Sequence, residues 1–226
     1  MTSLNDKQIV KEYFNATGFD RWRRIYGEEE VSKVQLDIRQ GHQQTLDQVL
    51  GWLSDSLTSL RICDAGCGVG SLSIPLAQRG ATVFASDISQ KMVEEAQVRA
   101  QAAGIPTSQI QFGVGDLAGI RGDYDVVICL DVLIHYPQAE AEAMLRYLAA
   151  RAQGRIIVSF APKTLWLSIL KKIGEFFPGP SKTTRAYQHR YVDIVRCLVN
   201  QGFTIKRTGQ VSTSFYYTRI IEAVRD

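Results

Sequence analysis

The spacing of apolar positions is helical in the first quarter of the chain. Residues 1–54 show this spacing, with an interruption at 15–18. A longer helical pattern begins near Glu29, and after Gly41 it resumes through Leu53. The pattern therefore predicts an arm of helices that precedes the first strand.

From residue 60 onward, short apolar runs alternate with helical patterns. The predicted strands are 60–65, 81–87, 109–114, 124–130 and 154–160, and the helices between them lie near 70–79, 90–103 and 138–151. This alternation predicts right-handed crossovers and a parallel sheet covered on both faces. A further helix near 190–200 and two closing strands, near 202–207 and 214–223, are expected to complete the sheet.

The first predicted strand runs into a glycine-rich turn. Asp64 is followed by Gly66, Gly68 and Gly70 in the pattern Asp-x-Gly-x-Gly-x-Gly. Glycine lets the backbone turn sharply and approach a ligand, and the helix that follows offers its N-terminal N–H groups. Asp87 ends the next apolar run, where a ribose hydroxyl pair is expected. These features predict a site for a ligand that carries an adenosine and a carboxylate.

The glycine spacing separates this turn from the dinucleotide fingerprint, which has two residues between its second and third glycines. The pattern resembles the first two motifs of class I S-adenosylmethionine-dependent methyltransferases, with other Rossmann-like nucleotide binders as the alternative. The resemblance implies an α/β, Rossmann-like sheet of about seven strands, mostly parallel with the last strand antiparallel. It also implies S-adenosylmethionine as cofactor, with expected contacts from Tyr13, Asp64, Gly66, Cys67, Gly68, Asp87, Ile88, Asp116, Leu117 and Leu130. Asp116 is expected to accept from the adenine amino group, and a helix cap or turn role is its alternative.

Length and composition favour one domain. The chain has 226 residues, of which 45% are apolar and 22% charged, enough for one good core. We divide it into an N-terminal arm (1–54), a cofactor-binding core (55–160), a substrate lid (161–190) and the end of the sheet (191–226).

Charge and cysteine content exclude several classes of function. The net charge of +3 comes without a basic block, and no Asn-Pro-Pro-aromatic motif is present, which disfavours nucleic acid as a partner. The N-terminus lacks a signal-peptide pattern and no run of about 18 apolar residues is present, so neither a secretory signal nor a membrane span is expected. The four cysteines show no CxxC spacing and are expected to be free thiols, with a redox role for Cys67 as the alternative. No ligand cluster for a metal of its own is visible.

Two residues outside the glycine motif are candidates for the chemistry. His135 follows the apolar strand 124–130, whose carboxyl end should open onto the cofactor crevice, although a structural role is its alternative. Tyr26 stands before Gly27 in a loop-like setting, where a site role and a packing role are equally open.

The segment after the fifth predicted strand has a different character. Residues 165–177 carry an apolar stripe that includes Trp166, which fits a helix packed on its own domain, a lid over a large flat substrate, or a membrane-touching surface. The polar stretch that follows contains Arg185, His189 and Arg190, where substrate contact and a solvated surface are equally open.

Three segments carry a narrower resemblance. Residues 13–27, 131–137 and 183–190 are similar to the magnesium-protoporphyrin IX O-methyltransferase family of chlorophyll biosynthesis. The resemblance implies methylation of one propionate of magnesium protoporphyrin to give the monomethyl ester. It also implies the large subunit of magnesium chelatase as substrate donor, and a cytoplasmic protein with peripheral contact to photosynthetic (thylakoid) membranes. Trp166, Arg185, His189 and Arg190 would then contact the substrate.

This reaction does not need a strong base. A carboxylate with a pKa near 4 is already ionised at neutral pH, so the enzyme must mainly align oxygen and methyl carbon and exclude water. We expect Tyr26 and His135 to hold the reacting carboxylate from opposite sides, without removing a proton. The rival functions are another small-molecule methyltransferase of the quinone type and a non-catalytic tetrapyrrole or cofactor carrier.

Overall fold

The fold is built on a seven-stranded sheet with the strand order β3-β2-β1-β4-β5-β7-β6. The structure is a computed structural model that describes residues 3–163 and 187–225. The strands are β1 (Arg61–Ala65), β2 (Thr82–Asp87), β3 (Ile110–Val114), β4 (Tyr124–Cys129), β5 (Ala152–Phe160), β6 (Thr204–Ser212) and β7 (Tyr217–Val224). The helices are α1 (Ser3–Asn15), α2 (Thr17–Ile25), α3 (Lys33–Trp52), α4 (Ser73–Gln78), α5 (Gln90–Ala102), α6 (Gln138–Ala149) and α7 (Tyr191–Val199).

The direction of the strands confirms the predicted architecture. β1 to β5 pair in parallel, whereas β7 is antiparallel to both β5 and β6. The fold is therefore the α/β, Rossmann-like methyltransferase sheet with its last strand antiparallel. The order reverses between β1 and β4, and ligands of such sheets bind outside the carboxyl ends of the strands at this point.

Successive side chains of the central strands enter two separate cores. On β1, Cys63 packs into one core while Ile62 packs into the other, and on β4 Val127 and Ile128 divide in the same way. Both faces of the sheet are covered, which explains why these strands are apolar without alternation. The first core includes side chains from α6 and α7, and the second includes side chains from α3 and α4.

The third helix of the arm corrects one expectation. α3 begins after Ser32, whose hydroxyl accepts from the Gln35 N–H in a capping box, and it runs through Gly41 without a break. The glycine is required by packing, because a Cβ at Gly41 would lie 2.4 Å from the ring of Tyr216. The interruption predicted at this glycine is therefore wrong.

Hydrogen bonds hold the arm over the carboxyl ends of the strands. The Ser89 hydroxyl donates to the Phe14 carbonyl at 3.0 Å, which joins α1 to the start of α5. The carboxylate of Asp37 on α3 accepts from the Thr213 hydroxyl at 2.6 Å and from the Phe215 N–H at 2.7 Å, both in the turn between β6 and β7. The arm therefore bridges the two ends of the sheet.

The predicted lid lies mostly outside the described residues. Of the segment 161–190, the structure describes residues 161–163 and 187–190. Within the described part of the chain, no helix combines the length and apolar character needed to span a bilayer.

Candidate active site

A cavity of about 420 Å³ opens at the carboxyl ends of the central strands, beneath the arm. Its wall combines the glycine turn after β1, the end of β2, the segment after β4, the arm helices and the turn before β7. The position is the one expected for a ligand of an open α/β sheet.

The glycine turn is shaped so that its backbone approaches this cavity closely. Gly66 has φ +90°, and a Cβ there would lie 2.0 Å from Cγ2 of Val132. Gly68 has φ +52°, and its N–H donates to Oδ2 of Asp87 at 3.0 Å. The other oxygen of Asp87 accepts from the Ser89 N–H at 2.9 Å, so the carboxylate connects the turn to the start of α5.

Two aspartates make the floor of the cavity acidic. The Asp64 carboxylate accepts from the Ser73 hydroxyl at 2.5 Å, yet burial raises the pKa of Asp64 to about 6. Burial also raises the pKa of Asp87, although the N–H groups of Ser89 and Gly68 oppose the shift. Such a floor suits a ligand with positive charge, because a cation stabilises buried carboxylates in their ionised form.

Most of the predicted cofactor contacts meet at this cavity. The wall includes Asp64, Gly66, Cys67, Gly68, Asp87, Ile88, Asp116, Leu117 and Leu130. Tyr13 is buried but does not belong to this wall, and its phenol oxygen accepts from the Trp22 indole at 3.3 Å. Asp116 lines the cavity and also makes an ion pair with Lys7, and its carboxylate caps a short 3₁₀ turn through the Ala118 N–H at 3.3 Å.

The cysteine of the glycine turn is poorly suited to redox chemistry. All four cysteines are buried and free, as expected. Burial raises the pKa of the Cys67 thiol well above its usual range, and the nearby Asp87 and Asp64 act in the same direction. The thiolate is the reactive form, so this environment disfavours the redox alternative for Cys67.

The two candidates for chemistry, Tyr26 and His135, line the same cavity. Burial, together with the carboxylates of Asp131 and Asp87, raises the pKa of Tyr26 well above its usual range, so the phenol stays protonated. Burial lowers the pKa of His135 to about 4, so its imidazole is neutral at physiological pH. Nδ1 of His135 is buried without a hydrogen-bond partner among the described residues.

The cavity wall contains a second histidine, His42, that was not among the predicted site residues. Nδ1 of His42 lies 3.0 Å from Oδ2 of Asp131, and its ring packs against that of Tyr26 with centroids 4.2 Å apart and the planes inclined by 34°. Asp131 directly follows Leu130 and has φ +57°, a conformation that is rare outside glycine. The position of Asp131 at the end of β4 could have marked it as a site residue, but its partner His42 on α3 lies 89 positions away in the sequence.

The predicted substrate contacts are only partly placed in the structure. His189 is fully buried, and its ring nitrogens lie 3.0 Å from Gln138 Oε1 and 2.8 Å from the Leu133 carbonyl. Both nitrogens are therefore occupied, which corrects the expected propionate contact. Arg190 is exposed at the start of α7 and lies 3.7 Å from Asp193. Trp166 and Arg185 fall outside the described residues.

Sheet order, glycine turn and the acid at the end of β2 together define a class I S-adenosylmethionine-dependent methyltransferase. Comparisons with known proteins narrow this class. The family described as "Magnesium-protoporphyrin IX methyltransferase C-terminus" matches residues 129–225, and a general methyltransferase domain matches residues 62–153.

Individual relatives agree with these matches. Magnesium-protoporphyrin O-methyltransferase of Synechocystis sp. is 63% identical over 99% of this chain and 98% of its own. The chloroplastic magnesium protoporphyrin IX methyltransferase of Arabidopsis thaliana is 54% identical over 97% of this chain and 71% of its own. A Synechocystis crystal structure of the enzyme with bound S-adenosylhomocysteine superposes with a TM-score of 0.90 and 61% identity, over 97% of this chain and 100% of that one. The chain belongs to the magnesium-protoporphyrin O-methyltransferase family.

Proposed function

We propose that the chain transfers a methyl group from S-adenosylmethionine to a propionate carboxylate of magnesium protoporphyrin IX, giving the monomethyl ester. The observation that carries the proposal is 63% identity, over nearly the full length of both chains, to a relative named for this substrate. The cavity agrees with it, because the cofactor turn, Tyr26 and His135 all face one space.

The cavity fits the proposed cofactor. A Cβ at Gly66 would collide with Val132, whereas a Cβ at Gly68 would meet no atom within 4 Å, so the backbone of the turn beside Gly68 is open to the methionine part. Asp87, Asp116, Leu117 and Leu130 line the same cavity. In the proposed complex Asp87 would accept from the ribose hydroxyls and Asp116 from the adenine amino group, while the two leucines would offer apolar surface. The bound cofactor supplies an electrophilic methyl group on a sulfonium centre.

The side chains around the reacting centre orient the nucleophile and exclude water. The Tyr26 phenol keeps its proton and can donate to one oxygen of the carboxylate. The neutral ring of His135 packs edge-on against Phe14, with centroids 5.2 Å apart, and can orient the carboxylate without removing a proton. Apolar walls raise the reactivity of a carboxylate by removing its hydration shell.

The remaining contacts of the substrate are proposed to come from the lid. Trp166 offers an aromatic surface for the macrocycle, and Arg185 and Arg190 offer guanidinium groups for the second propionate. Arg190 is available for such a contact because its side chain is 65% exposed.

The proposal also includes the protein that delivers the substrate and the membrane at which the enzyme works. We expect the large subunit of magnesium chelatase to hand over the porphyrin, and the apolar stripe at 165–177 to touch a thylakoid membrane. Support comes from the plant relative, which is named as chloroplastic. Co-sedimentation with thylakoid-lipid vesicles, with and without that subunit, tests both contacts. A chain that stays in the supernatant under both conditions would contradict them.

The reaction is tested by methyl transfer from labelled S-adenosylmethionine to magnesium protoporphyrin, run with the wild type, Tyr26→Phe and His135→Ala. We expect wild-type turnover, a fall of about ten-fold or more in kcat for each variant, and unchanged affinity for S-adenosylhomocysteine. Gln44→Ala is the control, because Gln44 is exposed on α3.

Other outcomes would redirect the proposal. Turnover with unimpaired variants would keep the reaction and move the carboxylate contacts to other residues. Cofactor binding without turnover would favour a tetrapyrrole carrier, and turnover of a quinol in place of the porphyrin would favour a quinone-type enzyme.

A further inference from the structure

The cavity wall contains a carboxylate–imidazole pair that no part of the proposed mechanism uses. Nδ1 of His42 lies 3.0 Å from Oδ2 of Asp131, and the His42 side chain is only 13% exposed. Its other nitrogen, Nε2, is buried and has no hydrogen-bond partner among the described residues. A buried polar atom without a partner is costly and rare in folded proteins, so it calls for a ligand.

The surroundings of Asp131 keep this pair in one arrangement. The Tyr216 hydroxyl reaches both carboxylate oxygens, at 3.0 and 2.9 Å, and the Ser159 hydroxyl donates to Oδ1 at 3.1 Å. Burial alone would raise the pKa of Asp131, but the hydrogen bonds from His42, Tyr216 and Ser159 hold it below its usual value. Asp131 is therefore an anion, and Nδ1 of His42 must carry the proton between them.

The charge of the cavity indicates what Nε2 contacts. Four aspartates line it, Asp64, Asp87, Asp116 and Asp131, and no lysine or arginine does so within the described ranges. His135 is held neutral by burial. A carboxylate that enters this space needs a donor to offset the acidic wall, and His42 is the basic wall residue that pairs with a buried carboxylate.

We propose that His42, as an imidazolium paired with Asp131, donates from Nε2 to the propionate carboxylate that accepts the methyl group. The proposal rests on the proposed function. The pair Asp131–His42 has no net charge, so it holds one oxygen firmly without neutralising the carboxylate as a free cation would. The other oxygen stays available as the nucleophile. Tyr26, whose ring packs against that of His42, would lie beside the same carboxylate.

The reaction balances without any change in His42. One carboxylate oxygen forms a bond to the methyl carbon while the carbon–sulfur bond of the sulfonium breaks, and the electron pair of that bond stays on sulfur. No proton moves, so His42 keeps both of its ring protons. The ester product has lost the negative charge that the imidazolium held, which weakens this contact and favours product release.

A binding comparison distinguishes a contact between His42 and the carboxylate of the substrate from a contact between His42 and the magnesium of the substrate. Fluorescence titrations measure the affinity for magnesium protoporphyrin, its dimethyl ester and metal-free protoporphyrin, with the wild type, His42→Phe and the control Gln44→Ala. The phenyl ring keeps the packing against Tyr26 but removes the donor. We expect His42→Phe to weaken both free acids by about ten-fold to 100-fold and to leave the dimethyl ester unchanged.

The same comparison contains the results that overturn the proposal. A loss restricted to the magnesium-containing porphyrins, ester included, would make Nε2 an axial ligand of the substrate's magnesium instead. Equal affinities for wild type and His42→Phe would remove His42 from the site. Retained binding of S-adenosylhomocysteine shows that the variant is folded. Failure of wild-type turnover would reject the proposed function separately, because the binding comparison needs no turnover.

Discussion

At the residue scale, two histidines in one cavity have different electrostatic surroundings. Burial without a hydrogen-bonded acid lowers the pKa of His135 to about 4 and leaves it neutral. His42 instead faces an aspartate at 3.0 Å whose charge is fixed by three other hydrogen bonds from Tyr216 and Ser159. The same type of side chain therefore stands in two different settings in one cavity, with a buried carboxylate as hydrogen-bond partner at His42 and with no such partner at Nδ1 of His135.

Gly66 gives a sharp test of the cofactor turn. Gly66→Ala would force an L-residue into φ +90° and place Cβ 2.0 Å from Cγ2 of Val132. We expect loss of S-adenosylhomocysteine binding by about ten-fold or more, because either the turn or the segment after β4 must move. Isothermal titration calorimetry measures the change.

Gly119→Ala is the matched control for this substitution. Gly119 lies in a short turn next to the predicted adenine site, has no positive φ, and has no atom within 4 Å of a built Cβ. Its binding should equal that of the wild type. If Gly66→Ala also binds normally, the close approach at the turn does not serve the cofactor.

At the element scale, the strands were the most predictable part of the molecule. β1, β2, β4 and β5 are buried on both faces, so each is a short apolar run with little ambiguity, and observed ends differ from predicted ones by at most two residues. The glycine turn was recognised for the same reason, since its signal is contiguous in sequence. Nearly all the predicted cofactor contacts line one cavity as a result.

Features that depend on distant partners were the ones missed. The role of Gly41 is set by the ring of Tyr216, 175 positions later, so a helical glycine looked like an interruption. His42 and Asp131 are 89 positions apart, and neither has a local signal that reveals the pair. His189 showed the opposite error, because a histidine in a polar stretch turned out to be buried with both nitrogens bonded.

Helix α3 offers a direct test of this long-range packing. Gly41→Ala adds a Cβ that would lie 2.4 Å from the Tyr216 ring, which must then move away from Asp131. We expect a loss of about 1–3 kcal/mol in the free energy of unfolding, despite the better helix propensity of alanine. Urea denaturation followed by circular dichroism measures it.

Gly51→Ala in the same helix serves as the comparison. A Cβ at Gly51 meets nothing within 4 Å, so this variant should gain up to about 1 kcal/mol from helix propensity. Stabilisation of both variants to the same extent would show that Tyr216 yields at no cost and that its contact with Asp131 is dispensable.

At the scale of the whole molecule, the buried acid under the cofactor turn affects global stability. The pKa of Asp64 is raised to about 6, above its unfolded value, so the native state binds the extra proton between these values. The contribution of Asp64 is therefore most favourable at low pH and is lost as pH rises from about 4 to about 6. His135 acts in the opposite direction, since its native pKa is lowered to about 4 and its contribution grows as pH rises.

A variant isolates the contribution of Asp64 from that of His135. Between about pH 4 and about pH 6, the ligand-free wild type should lose up to about 3 kcal/mol of unfolding free energy relative to Asp64→Asn. Chemical denaturation at a series of pH values measures both proteins. Parallel curves over this range would show that Asp64 titrates normally in the folded state.

The contacts that complete the cavity join the two ends of the chain. Asp37 holds the turn at 213–215, and Tyr216 reaches the pair formed by His42 and Asp131. The hydrogen bonds that hold the cofactor turn, by contrast, lie between residues 68 and 89. The two halves of the site therefore draw on different lengths of sequence, and a change near the end of the chain can disturb the substrate side of the cavity while the hydrogen bonds of the turn stay in place.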